Sequence, residues 1–189
     1  MKNFKSLSIA VFFVLMFQTG NAQTNKINTT KSIINWEGKK ITGEHAGTIN
    51  FKDGYLIFKD KKVTGGSFTA DMTSLSNTDQ TGSSKQKLEG HLKSEDFFST
   101  AKFTTATLVF KNIANEGNNK YLINADLTIK GTTNPIQFEL VMVDKKKATA
   151  KLNINRTKYD IKYGSGSYFD DLGDKTIFDN FELNVVLVF

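Results

Sequence analysis

The sequence predicts an all-β domain, an antiparallel β-barrel of about eight strands (eight to ten on the pattern alone) with a short helical excursion. Two observations lead there. The chain is a series of runs, each about one strand long and rich in Thr, Ile, Val and Phe, divided by Gly, Asn and Asp. Inside the runs apolar and polar residues alternate with a period of two, as Phe68, Ala70 and Met72 do against Ser67, Thr69 and Asp71. So many antiparallel strands leave exposed edges, and a closed or nearly closed barrel removes them. A β-sandwich fits the same strand count and stays open at this point.

Residues 1–22 read as an export signal. MKNFK is a basic tip, SLSIAVFFVLMF is apolar, and QTGNA sets Gly20 and Ala22 at the −3 and −1 positions of a cut before Gln23. The apolar run has no polar face for a core helix and is short for a membrane span. The expected location is the periplasm or the exterior. The chain has no cysteine, so there is no lipobox cysteine, no thiolate metal site and no thiol nucleophile. An exported domain without disulfides depends on its core alone. Residues 23–32, QTNKINTTKS, read as a flexible lead-in, and residues 33–189 as one domain. With Lys2 and Lys5 removed, the formal charge falls from +6 to +4. Arg156 is the only arginine among 25 basic residues, and the lysines are scattered, which argues against a nucleic-acid surface.

GTINF and GYLIF flank a KD pair, and VTGGSFTADMTSL follows. AKFTTATLVFKNI, KYLINADLTIKG, NPIQFELVMVD, KATAKLNINR and FELNVVLVF supply the second half. Pro135 is expected to open its strand, with Ile136, Phe138, Leu140 and Met142 on one face. Residues 79–98 break the pattern and hold the helical excursion. Gly90 is expected to interrupt it, and Ser94 before Glu95 and Asp96 to start a helix.

Few residues offer chemistry. EGHLKSEDFF places His91 and Glu95 four apart, but the chain has only two histidines, too few for a catalytic zinc. The stretch reads as a capped turn whose Phe97 and Phe98 pack into the core. Asp170, Asp171, Asp174 and Asp179 suit calcium by type, yet lack the EF-hand spacing and read as a surface loop. The GSG of YGSGSYFDD lacks the rest of a phosphate loop. Arg156, followed by Tyr159, Tyr163, Tyr168 and Phe169, has two open readings. It is a strand-end arginine stacked on a tyrosine, or part of a pocket rim where a guanidinium meets a phosphate or carboxylate. A lipid-modifying enzyme would have to rest on His45.

Taken together, GHLKSEDFF, LTIKGTTNPIQFEL and INRTKYDIKYGSGSYFDDLGD, with VTGGSFTADMTSL upstream, resemble the YceI-like family of exported lipid-binding proteins. The resemblance covers residues 33–189. It implies an extended, lipocalin-like barrel with a hydrophobic tunnel for a polyisoprenoid, quinone or other long-chain amphiphilic lipid. It implies no catalytic residue and no cofactor, and some members are dimeric. One departure is that Leu88 and Glu89 stand where many members carry an Arg-Asp pair. The candidate ligand contacts are Phe68, Met72, Phe97, Phe98, Phe138, Leu140, Ile154, Arg156, Tyr159, Tyr163 and His45. Each buried methylene is worth about 0.8 kcal/mol, so shape alone can hold a long chain. The rival architecture is a small outer-membrane barrel, since Leu183, Val185, Leu187 and Phe189 alternate as lipid-facing residues would. Lys102, Lys111, Lys130 and Lys151, close to the runs, weigh against it.

Overall fold

A computed structural model describes residues 22–189, so the stretch read as an export signal lies, but for Ala22, outside the described residues. The strands are β1 (Gln23–Lys26), β2 (Ile33–Lys40), β3 (Gly43–Lys59), β4 (Lys62–Asn77), β5 (Thr105–Gly117), β6 (Lys120–Ile129), β7 (Thr132–Asp144), β8 (Lys147–Asn155) and β9 (Ile177–Val188), with helix α1 (Gly82–Lys93) between β4 and β5. Strands β3 to β9 pair in succession from β3–β4 to β8–β9, and β2 joins β9 back to β3. Eight antiparallel strands therefore close a ring, and the barrel replaces the sandwich alternative. The ring lies wholly between Ile33 and Val188.

Tight turns drive the hairpins. Asp60-Lys61, Asn118-Asn119 and Lys130-Gly131 all have φ between 48 and 76°, the left-handed pair that matches strand twist in two-residue loops. The β3–β4, β5–β6 and β7–β8 turns share one end of the ring, where Leu56, Ile123 and Ala148 are wholly buried. That end is packed shut. The opposite end carries the β2–β3 turn, α1 and the long β8–β9 connection.

Side chains alternate as the sequence requires. On β6, Tyr121, Ile123, Ala125, Leu127 and Ile129 point in. On β9, Leu183, Val185 and Leu187 also face the interior. Charge lies outside, where Lys111–Asp126 (3.3 Å), Lys120–Glu139 (3.0 Å) and Lys151–Glu182 (2.7 Å) bridge neighbouring strands. A membrane barrel needs an uncharged outward band. This disposition is the reverse of that rival.

Four local expectations are corrected. Residues 23–32 are not a loose lead-in. β1 pairs with Tyr55–Phe58 of β3, Ile27 is buried, and the Asn28 side chain accepts from the Thr30 and Lys31 amides to form a turn. Ser94 does not start a helix but ends one: its hydroxyl and its amide both donate to the His91 carbonyl. Gly90 does not interrupt α1, because it lies on an open face of it. Pro135 does not open β7, which begins at Thr132. It is tolerated inside because β8 pairs with β7 only from Glu139 onward.

Candidate functional site

The open end holds a cavity of about 490 Å³, inside the ~300–1,000 Å³ range of small-molecule sites. All ring strands line it, from Trp36 on β2 and Phe51 on β3 to Leu152 on β8 and Leu183 on β9. A band of rings runs along its wall from β3 to β7: Phe51–Phe68 at 6.1 Å, Phe68–Phe110 at 5.7 Å and Phe110–Phe138 at 5.9 Å between centroids. Such tilted pairs add packing beyond their area. Trp36 has a made-to-measure seat. A Cβ on Gly47 would overlap the Ser76 carbonyl oxygen and stand 2.6 Å from the indole, so only glycine lets the ring lie flat there.

Helix α1 roofs one side of the mouth. None of its residues is fully buried, and polar ties position it. The Glu89 carboxylate accepts from the Ser76 hydroxyl (2.9 Å) and the Asn77 amide (2.8 Å). The amide of Asn77 first, and the Ser76 hydroxyl after it, hold that carboxyl below its usual range against the opposing effect of burial. Leu88 and Leu92 thereby face the cavity. His91 stacks edge-on against Tyr163 (4.4 Å) and Phe97 (5.1 Å), and Phe98 meets Phe181 (6.2 Å). EGHLKSEDFF is thus the end of a roof helix and an aromatic brace.

His45, opposite Gly38 on β2, also lines the mouth, and its Nδ1 lies 2.8 Å from Asp79. Burial alone would raise the Asp79 pKa. Hydrogen bonds from His45, the Ala46 amide and the Asn77 side chain outweigh it and lower the pKa from 3.8 to about 2. A depressed carboxyl pKa stabilises the fold above its unfolded value and loses that contribution as pH falls through the folded one. The stability advantage of the wild type over Asp79→Asn is therefore expected to be full above pH 3.8 and to vanish near pH 2. Urea midpoints across that window check it. Because Asp79 is partly exposed, solvent screening keeps the effect small.

Arg156 resolves between its two readings. It is 3% exposed. Nη1 donates to the carbonyls of Ile161 and Tyr163 (both 2.9 Å), Nη2 to Ile177 (3.0 Å) and Nε to Phe178 (3.1 Å). Asp179 stands 3.6 Å away, and the guanidinium lies 5.6 Å from the Phe97 ring. The group touches the cavity wall, but these contacts engage it with the protein itself. It staples the β8–β9 connection and does not present a free fork to a phosphate or carboxylate.

Phe68, Met72, Phe97, Phe98, Phe138, Leu140, Ile154, Arg156, Tyr163 and His45 all stand on the cavity wall. Tyr159 does not. It follows Arg156 in a 3₁₀ turn and is buried outside the wall. Trp36, Phe51, Phe110, Phe181 and the throat residue Gly38 line the cavity as well. Alternation within GTINF and FELNVVLVF could have found Phe51 and Phe181, but nothing local marks Gly38. The four aspartates of 170–179 do not converge. Among the described residues no group of three His, Asp or Glu side chains is placed to hold a metal ion, and Asp179 accepts from the Ser167 hydroxyl at 2.6 Å.

An eight-stranded antiparallel ring, packed at one end and hollow and apolar at the other, is a lipocalin-like barrel with room for a ligand. The model of the YceI-like domain family matches residues 26–189, and the chain belongs to that family. A UPF0312 protein of Shewanella denitrificans is 34% identical over 93 residues, 49% of this chain and 47% of that protein. Protein YceI of Escherichia coli O157:H7 is 28% identical over 74% of this chain and 73% of its own length. The UPF0312 matches thus span about half or less of those relatives. Among solved structures, Burkholderia cenocepacia BcnA superposes with a TM-score of 0.70 at 21% identity, covering 86% of this chain and 99% of that one. A polyisoprenoid binding domain from Saccharophagus degradans does so at 0.58 and 14%, covering 86% and 95%. At these identities the likeness establishes the fold.

Proposed function

We propose that this protein binds a long-chain apolar molecule, an isoprenoid or another amphiphilic lipid, in the barrel cavity and carries or sequesters it outside the cytoplasm. The observation that carries this reading is the apolar, side-chain-walled cavity with the Phe51–Phe68–Phe110–Phe138 band along its wall. The structure named as a polyisoprenoid binding domain supports it by analogy of fold. The export signal read in residues 1–22 supports the location. No catalytic step is assigned to the cavity. His45, the residue an enzyme would need, serves here to fasten the start of β3 to Asp79.

The test is native mass spectrometry of detergent-free protein, followed by organic extraction. A stoichiometric adduct that extracts as a polyprenyl or fatty species is expected. Apo protein that also refuses added polyprenyl lipid would remove the carrier reading.

A further inference from the structure

We propose that the open end of the barrel docks on a lipid bilayer through an aromatic rim, so that ligand passes between membrane and cavity without crossing water. The proposal rests on the carrier reading above. Seven large apolar side chains are exposed among the described residues, and five of them belong to the mouth: Ile41 (56% exposed), Tyr163 (48%), Tyr168 (53%), Phe169 (50%) and Phe178 (48%). A monomer's surface seldom gathers large apolar groups in one place without a partner for them.

The five come from two segments that are stitched together. The Ile41 amide donates to the Thr176 carbonyl (3.1 Å) and the Ile177 amide to Gly164 (2.8 Å). The Tyr168 and Phe169 amides donate to Ser165 (3.1 and 3.0 Å). Arg156 ties Tyr163, Ile177 and Phe178 to one guanidinium. The rim is therefore a held surface. It is also continuous with the cavity, because Tyr163 and Phe178 line the interior while remaining half exposed. An apolar path leads from the outer rim to the throat.

Composition and charge select the partner. Tyr and Phe with neighbouring lysine stems suit the headgroup level of a bilayer, where a ring meets lipid and a polar tip meets water. Lys162 lies 5.0 Å over the Tyr168 ring in this manner. The charged groups around the rim are mixed. Lys40 precedes Ile41, and Lys175 follows Asp170, Asp171 and Asp174 in the β8–β9 connection. Lys162 is bound to Asp160 (3.0 Å), and Lys39 is bound to Glu37 (2.8 Å) and lies near Glu44 (3.7 Å). With no surplus of positive charge, the rim complements zwitterionic headgroups, and apolar insertion supplies the affinity.

The test uses residues 22–189, which contain the complete ring, and phosphatidylcholine vesicles loaded with a fluorescent geranylgeranyl probe. Ile41, Tyr168 and Phe169 do not line the cavity, so I41S/Y168S/F169S leaves the binding site intact. Wild-type protein is expected to sediment with the vesicles and to extract the probe, with little change on adding salt. The triple variant is expected to extract it about tenfold more slowly or worse, while binding probe delivered from ethanol as tightly as wild type. Equal extraction rates, a steep loss with salt, or a rim buried in a wild-type dimer that the variant abolishes would each overturn the docking proposal. Failure of wild type to bind probe from either source would instead remove the carrier reading beneath it.

Discussion

Replacing Arg156 with alanine is expected to lower stability by about 3–5 kcal/mol, the cost of breaking a buried ionic cluster by removing one partner. It leaves four carbonyl oxygens, those of Ile161, Tyr163, Ile177 and Phe178, without the donor they now share. It also leaves the Asp179 carboxylate without its cation at 3.6 Å. The urea midpoint should fall with its slope unchanged, the mark of lost stability rather than an altered denatured state. Arg156→Lys separates geometry from charge. An ammonium has its donors on one atom and cannot reach carbonyls on both sides of a planar fork. At least one buried acceptor then goes unpaired, at about 1–3 kcal/mol. Ligand affinity of the lysine variant, measured where it remains folded, should stay within a few-fold of wild type. A variant with wild-type stability but lost binding would reverse the assignment and return Arg156 to the headgroup.

This residue also shows where the sequence stops being readable. Its partners are main-chain oxygens up to 22 residues away, and a carbonyl looks the same on every residue type. Nothing in INRTKYDIK distinguishes a staple from a ligand. The strands were legible for the opposite reason. The ring has an apolar inside and a charged outside, so a period of two is imposed on each strand, and Ile136, Phe138, Leu140 and Met142 fall inward together. Closure follows only from the number of edges to be hidden, since the β2–β9 pairing that makes it joins residues some 150 apart. Ser94 reads equally as either end of a helix, because a serine hydroxyl accepts at the start or donates at the finish, as it does here to the His91 carbonyl. At Ile27 and Asn28 one buried side chain and one turn outweighed a polar composition.

Gly38→Phe is expected to empty the cavity while sparing the fold. The position faces inward on β2, opposite His45 on β3 and Phe181 on β9. A Cβ there would meet nothing within 4 Å, and the backbone is not in the left-handed region. Glycine inside a strand weakens it, so the substitution should hold or slightly raise the melting temperature. The benzyl group would instead project into the throat. If it displaces roughly four methylenes of a bound chain, at about 0.8 kcal/mol each, affinity falls by about 3 kcal/mol, on the order of a hundredfold. Gly38→Ala, with one methyl, should cost far less, and a probe short enough to lie below the throat should lose less than a long one. Titrating both variants with isoprenoid alcohols of increasing length checks the order. A long chain that binds Gly38→Phe as tightly as wild type would mean that ligand does not pass this point. The loss of affinity with length would then map the path of the chain, since each methylene excluded by the ring reports its own distance from Gly38.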